Sequence, residues 1–343
     1  PAAARAVHFT GDRGVAVRDH PVPDPDPGEV RVRTRVSAVS PGTELLVYRG
    51  DLPDGVALDE RIDALSGDYP MRYGYAAVGE VTETGRDADD RWLDRTVFAF
   101  HPHETHFCRP PADLVPVPED VAPAAATLLP TAETAVTVGL DADPAVGERA
   151  AVFGQGLVGL ATTALLAAYP LADLVAVDPR PERRALARDH GATAAVAPDA
   201  VGDRFEPSPP GPEGRATDGA DLAVELSGNP DALDDAVAVT GYDGRVLVGS
   251  WYGDKPVDLD LGGRFHRSRV AVESTQVSTI DPARRGRWTR ERRLDAAWTH
   301  LDRLDADDLL DRRVPLADAP AAYRRLDGPE PPVGTLFDHR EGA

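Results

Sequence analysis

Three groups of residues in this chain have types and spacing suited to chemistry. The first is Gly154-Gln155-Gly156-Leu157-Val158-Gly159. Glycines so spaced suit a turn that lays backbone against a pyrophosphate. Gly154 permits the turn, Gly156 removes a Cβ from the phosphates' path, and Gly159 lets the next helix pack closely. Asp178 lies 19 residues after Gly159, where a carboxylate can accept hydrogen bonds from an adenosine ribose. A carboxylate there repels a 2′-phosphate, which favours NAD; Arg183, with Arg180 and Arg184, could instead hold that phosphate, so NADP is the alternative. The second group is His101, His103, His106 and Cys108, close enough in sequence to suggest a metal. If His106 and Cys108 lie on a strand, they share one face while His101 and His103 hang from the preceding loop, and no better ligand set exists elsewhere; we expect no metal. The third group is the arginine-rich runs 264–269 and 284–290, which suit either an anionic ligand or, as we expect, surface ion pairs.

These groups need elements to position them. Strands are predicted at 31–39, 76–82, 96–100 and 114–117, punctuated by Pro and Gly, so the first third reads as all-β or barrel-like. From about Ala122 the pattern changes to alternating strands and helices. Strands are expected at 149–153, 174–177, 222–226, 245–248 and 270–272, and helices at 157–168 and 181–190, the latter closed by Gly191. That order implies a parallel sheet wound on both faces. The stretch 198–219, rich in Pro, Gly and Asp, reads as a long surface loop. Helices follow at 294–304 and 317–326, and a strand at 333–337 is expected to return to the first domain.

Composition narrows the function. The chain has 343 residues and a formal net charge of -21, with one lysine, Lys255. Such a surface repels nucleic-acid phosphates and anionic headgroups, so neither nucleic acid nor a membrane is an expected partner. Asp in excess over Glu with so little Lys suits a halophilic cytoplasm, where salt screens self-repulsion; a GC-rich genome explains the Ala, Arg, Gly and Pro but not the acidity. The first dozen residues lack a secretory pattern and no run is long enough to span a bilayer, so a soluble, cytoplasmic protein is expected. Cys108 alone makes intrachain disulfides and structural cysteine-zinc lobes impossible.

The segments Val36-Ser37-Ala38-Val39-Ser40-Pro41-Gly42-Thr43-Glu44 and Gly74-Tyr75-Ala76-Ala77-Val78-Gly79-Glu80-Val81, followed by the glycine motif, resemble the medium-chain dehydrogenase/reductase superfamily, in its threonine- and alcohol-dehydrogenase-like branch. The resemblance implies an α/β fold: an N-terminal GroES-like β domain, residues 1–121 completed by 303–343, and a Rossmann doubly wound parallel-sheet domain, 122–302. It implies hydride transfer between a nicotinamide and a small-molecule carbonyl or alcohol, and a homo-oligomer, dimer or tetramer. Zinc-dependent members place ligands where this chain has Pro41, Tyr75 and Leu129-Pro130, so a zinc-independent enzyme is expected.

Without zinc, the substrate oxygen needs another partner. Thr43 matches a proton-relaying hydroxyl of the family, although it could simply cap residues 44–48. Tyr75 places a phenol at a ligand position or merely fills it. His101 matches a pocket-lining position or is a solvated loop histidine, as is His103. The resemblance further assigns to the cofactor Thr134, Ser227, Gly249, Ser250, Trp251, Ser274 and Thr275, with Glu133 either a pocket carboxylate or a helix-start charge. Alternative readings are an enone or quinone reductase, and a cofactor-binding redox sensor without turnover.

Overall fold

The computed structural model describes residues 3–52, 68–205 and 219–340. A hairpin opens the chain: β1 (Ala4–Gly11) and β2 (Gly14–His20) pair antiparallel. The alternating residues of β3 (Val30–Val39) then bury Val30, Val32, Thr34 and Val36, and the strand becomes continuously buried toward Val39. A helix, Pro41–Arg49, follows at once, with Pro in its first turn and Gly50 left-handed (φ 76°) at its end. It corrects the all-β reading of this region. β4 (Ala77–Thr84), β5 (Thr96–Ala99), β6 (His106–Arg109) and β7 (Leu114–Pro116) complete the segment, with β6 pairing with β3.

The second region begins with the helix Leu129–Ala142. β8 (Arg149–Phe153), β9 (Asp173–Val177), β10 (Ala194–Val196), β11 (Ala220–Glu225), β12 (Thr240–Val248) and β13 (Ala271–Ser274) form one six-stranded sheet in the order β10-β9-β8-β11-β12-β13, every pair parallel. Period-two alternation sends Ala151 and Phe153 into one core and Ala150 and Val152 into another, so both sheet faces are buried. Helices Leu157–Leu166, Pro181–Asp189 and Pro230–Val239 connect strands, and Arg290–Leu301 closes the region. Gly191 (φ +97°) stands just beyond the second of these.

The chain then returns through β14 (Arg312–Pro315), the helix Ala319–Leu326 and β15 (Thr335–Asp338). β15 pairs antiparallel with β3, giving the order β14-β15-β3-β4-β5-β7. The chain thus forms two units, Pro1–Pro130 with Ala306–Ala343, and Thr131–Asp305. Of the expected 198–219 loop, Pro198–Ala200 and Val201–Arg204 are helical instead, because Val201 and Phe205, one helical turn apart, are both buried; residues 206–218 lie outside the described residues. Among the described residues, no helix is long and apolar enough to cross a membrane.

Candidate functional site

The glycine turn follows β8. Gly154 has φ +87°, and a Cβ on it would lie 2.5 Å from the Ser227 Cα, beside the end of β11. A Cβ on Gly159 would lie 1.8 Å from the Gly154 carbonyl oxygen. Both positions therefore require glycine for the fold itself. Gly156 differs: a Cβ there would meet only Arg183 Nη1, at 3.9 Å, so its face is open. It is the N-cap of the helix Leu157–Leu166, which has no side-chain cap, leaving the helix's positive end to an anion. Gln155 braces the turn from within, donating to the Val152 carbonyl (3.0 Å) and accepting from the Thr163 hydroxyl (3.0 Å).

Asp178 is 3% exposed and aligned by backbone donors: Gln155 N–H to Oδ2 (2.8 Å) and Arg180 N–H to Oδ1 (2.9 Å). Arg184 donates to the Asp178 and Pro179 carbonyls. At the end of β11, buried Glu225 accepts from the Ser227 amide (2.7 Å) and hydroxyl and from the Tyr252 hydroxyl (2.5 Å); burial, then Glu225, pushes that phenol's pKa up. The Ser250 hydroxyl accepts from Gly228 N–H (2.8 Å), and Lys255 donates to the Gly228 carbonyl (3.3 Å). The loops after β11 and β12 are thus tied together. A Cβ on Gly249 would lie 2.6 Å from Leu226 Cδ2. Thr275 donates to Asp141 (2.6 Å), Ser274 is exposed at the end of β13, and Trp251 is 37% exposed.

Glu133 is neither of the two things the sequence suggested. It is buried on the helix Leu129–Ala142 and paired with buried Arg293, a residue that sequence reasoning passed over (2.7 Å). Arg293 also donates to the Thr279 carbonyl (3.1 Å). Thr134 follows Glu133 on this helix and is half-buried. In the arginine runs, Arg269 pairs with Asp243 and Arg284 with Asp143, each at 3.1 Å.

In the other unit, Thr43 and Tyr75 come together, with Thr43 Oγ1 3.4 Å from the Tyr75 phenol oxygen. Tyr75 donates to the Ser40 hydroxyl, a partner not anticipated. Ser40, not Thr43, is the helix N-cap. His101 is not solvated. It is 7% exposed, stacks on Phe107 (3.9 Å between ring centres) and has its pKa pushed down by burial. Its ring nitrogens make no hydrogen bond among the described residues, and Nε2 lies 3.8 Å from Glu104. His103 is also buried, between Ser37 (2.7 Å) and Glu44 (3.0 Å).

The donor set does not suit zinc. Pro41 and Leu129 have no side-chain donor atom, and the Tyr75 phenol is paired with Ser40. Among the described residues, no three His, Cys, Asp or Glu are grouped to hold a metal.

Counted from β8, the parallel sheet has the order 3-2-1-4-5-6, and the glycine turn lies where that order reverses, between β8 and β11. That arrangement defines a dinucleotide-binding Rossmann unit, and with the GroES-like β unit the fold is α/β. A sequence profile described as "Zinc-binding dehydrogenase" matches residues 158–289, a span that contains none of positions 41, 75 and 129–130. D-guloside 3-dehydrogenase of Escherichia coli (strain K12) is 25% identical over 319 residues, 86% of this chain and 88% of that protein. A structure described as a short chain alcohol dehydrogenase from E. coli CFT073, complexed with NADH, superposes with TM-score 0.77 at 14% identity, covering 98% of this chain and 100% of that one. A zinc-binding dehydrogenase from Sinorhizobium meliloti 1021, bound to NADP, gives TM-score 0.75 at 20% identity over 98% and 100%. The profile match and the dehydrogenase names of these relatives support a place among the medium-chain dehydrogenases/reductases, a class of oxidoreductases.

Proposed function

We propose that this protein transfers hydride between a nicotinamide cofactor and the carbon of a secondary alcohol or carbonyl, with hydroxyl groups rather than zinc handling the substrate oxygen. The observation that carries this reading is the Thr43–Tyr75–Ser40 hydroxyl cluster where zinc-dependent relatives place ligands. Gly154 to Gly159 and the helix start would hold the pyrophosphate, and Asp178 the adenosine ribose, favouring NAD over NADP. Thr134, Ser227, Gly249, Ser250, Trp251, Ser274 and Thr275 are the further cofactor positions. When bound, the nicotinamide supplies or accepts the hydride at its C4. In the reducing direction the Tyr75 phenol turns its proton from Ser40 to the oxygen on which negative charge develops and supplies it there, Thr43 donates beside it, and the Ser40 hydroxyl then donates to the phenolate left behind. The name of the guloside dehydrogenase supports a secondary alcohol as the substrate class.

The test is to purify the protein in high salt, measure its zinc, titrate NADH against NADPH, and screen alcohols, carbonyls and enones. Tighter NADH binding, zinc far below one per chain and turnover of secondary alcohols or polyols are expected. Stoichiometric zinc whose removal abolishes turnover would overturn the mechanism. Turnover of enones alone would replace the substrate class, and tight binding without any turnover would make the protein a sensor.

A further inference from the structure

We propose that Ser40 is a positioning residue for Tyr75, its hydroxyl unused in helix capping, and that a buried chain of hydrogen bonds through Glu44, His103, Ser37 and His339 holds that arrangement. This rests on the reading of Tyr75 as the group facing substrate oxygen.

A serine at an N-cap ordinarily accepts from an amide of the first helical turn. Ser40 stands at the N-cap of Pro41–Arg49, yet its side chain makes no capping bond. Glu44 reaches back and accepts from Ser40 N–H at 2.7 Å, the reciprocal half of a capping pair. The Ser40 hydroxyl, making no capping bond, accepts a hydrogen bond from the Tyr75 phenol. The cap left unmade places a second hydroxyl beside Tyr75.

Glu44 itself has no freedom. It is 0% exposed and accepts from Ser40 N–H, from the Tyr323 hydroxyl and from His103 Nε2 (3.0 Å). In the neutral tautomer in which His103 Nε2 donates to Glu44, Nδ1 accepts from Ser37 Oγ, 2.7 Å away. Ser37, its proton committed, must accept from His339 Nε2 at 2.8 Å. One tautomer of each ring therefore satisfies every bond in the chain, and burial keeps His339 neutral by pushing its pKa down to about 3. A separate contact ties this chain to Tyr75. The preceding residue, Gly74, has φ +122°, and a Cβ on it would lie 2.7 Å from His103 Nε2. Tyr75 is thus located by Ser40 at its hydroxyl and by His103 packed against the backbone one residue before it.

The experiment is an ultraviolet difference titration of Tyr75, taken as wild type minus Tyr75→Phe, repeated in other backgrounds. Ser40 can donate to a phenolate more strongly than it accepts from a phenol, so Ser40→Ala is expected to raise the Tyr75 midpoint by about one pH unit, and Ser40→Thr to restore it. Glu44→Gln, which turns an amide donor toward His103 and Tyr323, is expected to shift the midpoint the same way. If that variant does not fold, Ser37→Ala, which cuts the chain beyond His103, takes its place. An unchanged midpoint in Ser40→Ala, with only a lowered melting temperature, would make Ser40 an ordinary cap and overturn the proposal. A wild-type midpoint in folded Glu44→Gln or Ser37→Ala would remove the buried chain from it. Absence of turnover in every background would defeat the function proposed above while leaving these titrations readable.

Discussion

Arg293 donates from both Nε (3.1 Å) and Nη2 (2.7 Å) to a single oxygen of Glu133, and each side chain is 1% exposed. Removing either partner strands a buried charge. Glu133→Ala or Arg293→Ala should destabilise the protein by about 3–5 kcal/mol, whereas the apolar pair Glu133→Leu with Arg293→Met should recover most of that loss. Urea unfolding midpoints read both. Single variants within experimental error of wild type would show the pair to be inconsequential.

The three motif glycines should separate folding from binding. Gly159→Ala forces a Cβ onto the Gly154 carbonyl and should unfold the turn, seen as a large fall in melting temperature. Gly156→Ala meets no backbone, so its stability should stay within about 1 kcal/mol while NADH affinity falls by about tenfold or more. Unaltered affinity in Gly156→Ala, measured by fluorescence titration, would place the phosphates elsewhere.

Acid should destabilise the fold through its buried histidines. Burial lowers the pKa of His101 and His300, and of His339 to about 3, so His339 stays neutral in the folded protein down to about that pH. In the unfolded chain they bind protons below about pH 6.5. For His339 the unfolded state therefore binds more protons between about pH 6.5 and pH 3, and stability falls as pH drops through that window, by up to about 1.4 kcal/mol per pH unit, with His101 and His300 acting in the same direction. His339→Gln should flatten the dependence between pH 7 and 5 in urea titrations; a slope identical to wild type would contradict the assignment.

Turnover should distinguish Tyr75 from His101. Tyr75→Phe should lower kcat by about 10²–10⁴-fold with NADH affinity unchanged, and Thr43→Val should lower it less. His101→Phe keeps the stack on Phe107 and should change stability more than kcat. Steady-state kinetics on one accepted alcohol decides; a larger kcat loss in His101→Phe would move the proton donor there.

A net charge of -21 should make the fold depend on salt. Screening at about 2 M KCl should raise the melting temperature well above its value in dilute buffer. A flat response would remove the inference of a salt-rich cytoplasm.

Where a signal lay within one element, the residues disclosed it. The strand Arg149–Phe153 and the helix after the glycine turn follow from apolar runs bounded by glycine, and the last strand returns to the first region as expected, where the structure pairs it with β3. The hairpin β1–β2 and the helix Pro41–Arg49 escaped notice because short, mixed runs carry little periodicity. Ser40 and Glu44 stood in a quoted motif without a role, since nothing local shows which hydroxyl a phenol will meet.

The amino-acid order alone determined the parallel sheet and the glycine turn, because local backbone geometry is a property of neighbouring residues. Only the tertiary structure decided that Glu44 meets His103 and Tyr323, and that Ser37 meets His339, across separations of 59, 279 and 302 residues. Burial makes those partners necessary, since an unpaired polar group out of water is costly, but which partner arrives depends on how distant strands and helices pack.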